Sequence, residues 1–66
     1  MKLVRFPGYI VFNVSLVKSI YLVGEKLFVD NHSISYNTEV KAKQEFELLL
    51  LWVTDNNENG IYTLVV

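Results

Sequence analysis

Residues 39–53 read EVKAKQEFELLLLWV, and whether they form a strand or a helix decides the fold class. All the charged residues from Glu39 to Glu47 occupy odd positions, and the even positions are apolar except for Gln44. Strict alternation of this kind is typical of a strand with one solvated face. The same stretch is rich in strong helix formers. A helix would carry an apolar stripe formed by Ala42, Phe46, Leu49, Leu50 and Val53. The alternation favours the strand, and a helix at about 39–53 is the alternative.

The remainder of the chain has the pattern of short strands separated by tight turns. A first strand is predicted at 2–6, followed by a turn at Pro7-Gly8, because proline presets φ and glycine accepts a positive φ. Period-two alternation over 9–23 predicts a long strand with a bend near 13–15. Further strands are predicted at 26–30, 33–36 and 61–66, separated by turns at 24–25 and 30–32 and by a polar loop at 54–60.

These elements predict a mainly β protein, a small antiparallel meander or barrel-like sheet of about five to six strands. The alternative is an α+β fold with a helix at about 39–53. On the strand interpretation, residues 39–53 and 61–66 form a hairpin across the polar loop. The chain is a single small domain spanning residues 1–66.

Length and composition predict self-association. A chain of 66 residues buries only about 60% of its unfolded surface, so small domains usually need disulfides, a metal or a partner subunit. Cysteine is absent and His32 is the only histidine, which removes disulfides and thiolate or histidine-rich metal sites. Hydrophobic residues nevertheless make up 52% of the chain. A homo-oligomer would cover the excess apolar surface.

The predicted strands locate the subunit interface. Beyond Glu47 the apolar residues occupy both odd and even positions, and the final strand does the same. A sheet with one solvated face cannot accommodate two apolar faces. The predicted interface residues are Leu49, Leu51, Val53, Ile61 and Val65. The alternative is a central strand that its own chain covers on both sides.

The charge pattern argues against nucleic acid and membrane partners. The chain has six Lys or Arg residues and seven Asp or Glu residues, and the basic residues are dispersed along it. Nucleic acids are bound largely through clustered positive charge, so this class of partner is disfavoured. The longest apolar run, residues 48–53, is far shorter than the roughly 20 residues that span a bilayer. No targeting segment is evident, which predicts a cytoplasmic protein.

The sequence contains no catalytic motif: it lacks a phosphate-binding loop, GxGxxG, GxSxG and HExxH. His32 falls in a predicted turn beside Asp30, and Glu45 and Glu47 alternate with lysines as on a solvated face. The Asn-rich segment 55–59 does not have the spacing of an EF-hand loop. The prediction is a non-enzyme with no cofactor and no metal.

Three residues are the candidates for binding a ligand or a partner: Arg5, Tyr9 and Trp52. Arg5 is the sole arginine and suits an anionic group, while Tyr and Trp are enriched at interfaces. The predicted function is a non-enzymatic homo-oligomeric binding protein that sequesters a small anionic molecule or a partner protein, for example a phage-encoded antagonist of a host factor. One alternative is a small-barrel nucleic-acid-binding regulator. The other is an enzyme built at a subunit interface around His32.

Overall fold

The computed structural model describes residues 1–8 and 10–65 and contains short strands and one long helix. A 3-10 turn at Val14–Leu16 follows the second strand. The remaining elements, in chain order, are β1 (Lys2–Phe6), β2 (Ile10–Asn13), β3 (Ile20–Val23), β4 (Lys26–Val29), β5 (His32–Ser35), α1 (Glu39–Thr54) and β6 (Gly60–Thr63).

The strands form two three-stranded sheets, with the orders β2-β1-β6 and β3-β4-β5. Every pair is antiparallel except β1 and β6, which run parallel. The mainly β prediction and the expected number of strands are confirmed. The strands lie in two sheets, however, where a single meander or barrel was predicted. A parallel pair needs a crossover connection, and the chain between β1 and β6 includes the second sheet and the helix.

The strand interpretation of residues 39–53 is wrong, because this segment is the helix α1 and the α+β alternative describes it correctly. Its amino end is capped by Thr38, whose hydroxyl oxygen accepts the backbone N–H of Lys41 at 3.1 Å. The alternating charges also repeat every four residues with opposite sign, as in Glu39, Lys43 and Glu47. Residues at this spacing are neighbours on a helix and attract one another. The charge pattern is therefore compatible with a helix as well as with a strand. The many strong helix formers in this segment favour the helix.

The predicted hairpin between 39–53 and 61–66 is also absent from the described residues. The final strand β6 pairs with β1 instead. The Gly60 N–H donates to the Met1 carbonyl and the Leu64 N–H donates to the Arg5 carbonyl, both at 2.9 Å. Because residues 39–53 are helical, they cannot pair with β6 as a strand. The final strand instead pairs with the edge of β1 that β2 leaves free.

The bend predicted near 13–15 is where the 3-10 turn interrupts the predicted strand at 9–23. The predicted turn at 30–32 places Asp30 at φ 53°, a conformation that aspartate tolerates. Its Oδ1 accepts the backbone N–H groups of Lys18 and Ser19, each at 3.0 Å. Asp30 thereby ties the segment after the 3-10 turn to the second sheet.

One apolar core lies between the two sheets and the helix. Its fully buried members come from β1, β4, β5, α1 and the segments that follow β5 and β6. They are Val4, Phe6, Leu27, Val29, Ile34, Tyr36, Ala42, Leu49 and Leu64. The accessible surface of 4513 Å² is close to the roughly 4300 Å² expected of a compact monomer of this mass. The single chain is therefore compact. Of its other described apolar residues, some are partly buried against this core and others, such as Leu51 and Ile61, are exposed.

Candidate functional site

The outer face of the first sheet brings together two residues that the sequence singled out, Arg5 and Ile61. In register, Arg5 lies between Val11 and Thr63. Paired residues project from the same side of a sheet, and alternate residues along a strand share a face. The same side also carries the neighbouring set in which Leu3 lies between Asn13 and Ile61. This open sheet face consists of Leu3, Arg5, Val11, Asn13, Ile61 and Thr63.

The open sheet face carries three apolar residues, two neutral polar residues and a single positive charge. The other side of β1 supplies Val4 and Phe6 to the core, so the two sides of this strand differ sharply. On the outer side, Val11 is 45% exposed, Ile61 is 49% exposed, and Arg5 and Thr63 are exposed as well. None of the six residues is acidic. Arg5 therefore lies on the central strand of a surface that has no carboxylate of its own.

A second exposed apolar surface lies on the outer helix face, defined here by Val40, Gln44, Glu47, Leu48, Leu51 and Thr54. Leu51 is 67% exposed and Leu48 is 51% exposed. Glu47, Leu51 and Thr54, together with Leu50, line a shallow depression of about 370 Å³. Helical spacing places Glu47 next to Leu51, one turn away. This surface thus combines leucines with one carboxylate at its edge, and the exposed Lys43 lies one turn before Glu47.

The predicted interface residues have different positions. Leu49 is completely buried in the core of its own chain and is unavailable to a second subunit, which corrects its assignment. The four consecutive leucines point in four directions because they are on a helix. Leu51, Ile61 and Val65 are exposed, and Val53 is partly buried. Leu51 lies on the outer helix face and Ile61 on the open sheet face, so these two belong to separate surfaces.

A groove runs between the helix and the chain that precedes β3. It has a volume of about 260 Å³ and is lined mainly by apolar residues, with Lys18 and Ser19 at one side. Its apolar lining is Val14, Val17, Ile20, Leu50 and Val53. Leu50 also lines the depression on the helix, so the groove adjoins the outer helix face.

Trp52, a predicted binding residue, is partly buried and already has neighbours. The centroids of the Trp52 and Tyr62 rings lie 5.5 Å apart, and the Lys2 ammonium lies 5.5 Å from the Trp52 centroid. Lys2 also donates hydrogen bonds to the carbonyls of Trp52 and Val53, at 2.9 and 2.8 Å, and to that of Asp55. Sequence reasoning missed Lys2, because its partners are about 50 residues away in the chain. Tyr9, the third predicted binding residue, lies outside the described residues.

One buried polar group lacks a partner among the described residues. The Tyr36 hydroxyl makes no hydrogen bond, although the residue is only 4% exposed. Burial, the Glu45 carboxylate and Tyr62 raise the pKa of Tyr36 to about 12. Burial and the same carboxylate also raise the pKa of Tyr62. Both phenols stay protonated at neutral pH, where they cannot act as bases.

His32, the histidine considered as a catalytic candidate, lies among aromatic side chains. The His32 ring packs edge-on against Phe12, with 4.8 Å between centroids, and so joins the two sheets. In residues 1–8 and 10–65, no group of three or more His, Cys, Asp or Glu side chains could hold a metal ion. The one helix of that part of the chain is too short and too polar to cross a bilayer.

No family model matches this chain, and no curated protein or solved structure matches it. A function is therefore proposed from the two exposed surfaces themselves.

Proposed function

We propose that this protein is a non-enzymatic binding protein whose docking surface is the open sheet face around Arg5. The observation that supports the proposal is the position of the sole arginine, exposed on the central strand of a sheet face that carries Leu3, Val11 and Ile61 and no acidic residue. Sequestration of the bound partner is its mode of action.

The chemistry of this face specifies the partner. A guanidinium presents a planar fork of donors that matches a carboxylate. Covering the surrounding Leu3, Val11 and Ile61 with apolar side chains removes them from water, which favours binding. The matching surface is a carboxylate flanked by apolar side chains.

The shape of this face favours a protein partner over a small anionic molecule. Small-molecule sites are concave and enclose most of their ligand. A three-stranded sheet face is an open platform, which suits a helix or another protein surface. Nucleic acid is disfavoured, because Arg5 is the only cation among the six residues and phosphate backbones need several.

A pair of labelled peptides tests the proposal by fluorescence anisotropy. The first is an amphipathic helical peptide with one glutamate among leucines, and the second has lysine in place of that glutamate. The wild-type protein should bind the acidic peptide at least about tenfold more tightly, because like charges in contact are strongly unfavourable. Arg5→Glu should reverse the preference.

Lys26→Glu is the matched control, since it makes the same charge change on an exposed residue of the other sheet. It should leave the preference for the acidic peptide unchanged. Equal binding of the two peptides by the wild-type protein, or an unchanged preference in Arg5→Glu, would contradict the proposal.

A further inference from the structure

We infer that the partner of the open sheet face is the outer helix face of a second copy, so that the protein assembles head to tail. This inference rests on the proposed function, because it names the occupant of the same surface. The contact joins Arg5 of one copy to Glu47 of the next.

The chain itself carries the surface that the open sheet face requires. Glu47 is exposed on the outer helix face, with Leu51 one turn after it and Lys43 one turn before it, and the exposed Leu48 lies beyond Leu51 around the helix. Leu50 extends the apolar surface on one side. A carboxylate among leucines is the chemistry that complements a guanidinium among apolar side chains.

Charge favours a head-to-tail contact over the two symmetric ways of covering these surfaces. If two sheet faces met about a two-fold axis, each central Arg5 would approach the other, since an isologous contact pairs a patch with itself. If two helices met antiparallel with Leu48 and Leu51 at the axis, the two Glu47 residues would be offset by only about 8 Å along the helices. Since the two helix axes are themselves about 8–10 Å apart, the two carboxylates lie beyond the Debye length at physiological salt and repel each other only weakly. The head-to-tail contact is the one that places opposite charges together.

The dimensions of the two surfaces agree. The outer strands of the first sheet lie about 10 Å apart, because adjacent strands are separated by about 4.8 Å. An α-helix with its side chains is about 10 Å across. One helix therefore covers the width of this sheet. The contact is small and belongs with the transient interfaces, which bury less than about 1,200 Å².

A head-to-tail contact has consequences that a two-fold dimer does not share. Each copy offers one sheet face and one helix face, so the assembly closes into a ring or grows as a chain. Either form gives a distribution of masses that shifts with protein concentration.

Charge exchange between the two surfaces tests the inference by sedimentation velocity and native mass spectrometry over a concentration series. The wild-type protein should form species larger than a monomer. Arg5→Glu alone and Glu47→Arg alone should each raise the dissociation constant at least about tenfold. The double variant Arg5→Glu with Glu47→Arg should restore assembly, because it exchanges the charges without removing the pair.

A mixture of two variants, each with one of its two surfaces disabled, distinguishes the head-to-tail contact from a symmetric one. Arg5→Glu keeps an intact helix face, and Leu51→Gln, which removes the apolar contact without adding a carboxylate, keeps an intact sheet face. Each variant alone should be monomeric, and the mixture should stop at a pair with one copy of each. Glu58→Arg, in the exposed loop after the helix, is the control for charge reversal and should assemble as the wild type does.

Circular dichroism establishes that each variant is folded. Thr63→Glu replaces Arg5→Glu if the latter does not fold, since Thr63 lies beside Arg5 on the same face and a carboxylate there repels Glu47. Failure of the double variant to restore assembly, or a dimer that survives Glu47→Arg, overturns the inference. A wild-type protein that stays monomeric overturns it too. The proposed function stands in each case if the acidic peptide still binds.

Discussion

Lys2 shows how one side chain can join two distant elements. The last carbonyls of a helix lack partners within the helix and carry partial negative charge. The Lys2 ammonium, from β1, donates to the carbonyls of Trp52, Val53 and Asp55 at the end of α1. It thereby neutralises the helix end and fixes it against the first sheet.

Replacement of Lys2 by methionine is expected to lower the free energy of unfolding by about 1–2 kcal/mol, because charge-assisted hydrogen bonds to these carbonyls are lost while the aliphatic stem remains. Urea denaturation followed by circular dichroism measures this. Lys26→Met, on the exposed end of β4, is the control and should change the stability by less than about 0.5 kcal/mol. Equal effects of the two substitutions would show that Lys2 does not cap the helix.

Tyr36 contributes an apolar ring to the core but leaves its hydroxyl without a partner among the described residues. A buried hydroxyl without a hydrogen bond costs about 1–3 kcal/mol of desolvation. Tyr36→Phe should therefore raise the free energy of unfolding by up to about 1 kcal/mol. Thermal denaturation measures the change, and a clear loss of stability would mean that the hydroxyl has a partner after all.

The same residue predicts a loss of stability at alkaline pH. The pKa of Tyr36 is about 12 in the folded protein and 10.0 for an ordinary tyrosine. Below pH 10 both states keep the proton, so its contribution is constant. Between pH 10 and about 12 only the unfolded state loses it, and stability falls by up to about 1.4 kcal/mol per pH unit. The difference in stability between wild type and Tyr36→Phe, measured from pH 8 to 12, should change with that slope.

The helix buries one side and exposes the other, although both sides carry apolar residues. Its core side carries Ala42 and Leu49, whereas Leu51 is exposed on the opposite side. Leu49→Ala should lower the free energy of unfolding by about 2–5 kcal/mol, because it removes buried methyl groups and leaves a cavity. Leu51→Ala should change it by less than about 0.5 kcal/mol. Urea denaturation of both variants at low protein concentration measures this contrast, and similar losses in the two variants would contradict the orientation of the helix.

The strand β1 has the same two-sided character. Its even residues, Lys2, Val4 and Phe6, face the helix and the core, and its odd residues, Leu3 and Arg5, form the open sheet face. β1 is therefore the central strand of its sheet, contributes two residues to the core, and also presents Arg5, the proposed docking residue.

At the scale of the whole molecule, the two sheets share one core. The Phe12 and His32 rings meet across the sheets at 4.8 Å, and Trp52 meets Tyr62 between helix and first sheet at 5.5 Å. Over residues 1–8 and 10–65 the buried apolar side chains form one cluster that both sheets share, so the domain should unfold in a single cooperative transition.

Two probes test this cooperativity in urea. Trp52 fluorescence reports the contact between helix and first sheet, and far-ultraviolet circular dichroism reports all elements. The two transitions should have the same midpoint and the same slope. A fluorescence midpoint well below the circular dichroism midpoint would show that the first sheet separates before the rest unfolds.

The short strands and their turns follow from local sequence. Turn residues such as Pro7-Gly8 and Asp30-Asn31 act on their own backbone, and the alternation between turns sets the strands. The helix also has local causes, namely its helix formers, the Thr38 cap and the opposite charges spaced by four residues. The same stretch also alternates with a period of two residues, and this alternation led to the wrong prediction of a strand.

The candidate surfaces could be predicted only in part. Arg5 stands out in the sequence as the sole arginine, and Ile61 as part of a strand with two apolar faces. Their position on one face depends on the pairing of β1 with β6, across nearly 60 residues of chain. Nothing local in either strand encodes that register.

Tertiary packing decides which apolar residues remain exposed. Each strand and the helix can bury only one side, and the single core selects that side for all of them together. Leu49 goes inside and Leu51 stays outside because the second sheet covers one side of α1. Local sequence thus determines the elements, whereas the shared core determines the two surfaces from which a function is proposed, because burial depends on contacts between residues far apart in the chain.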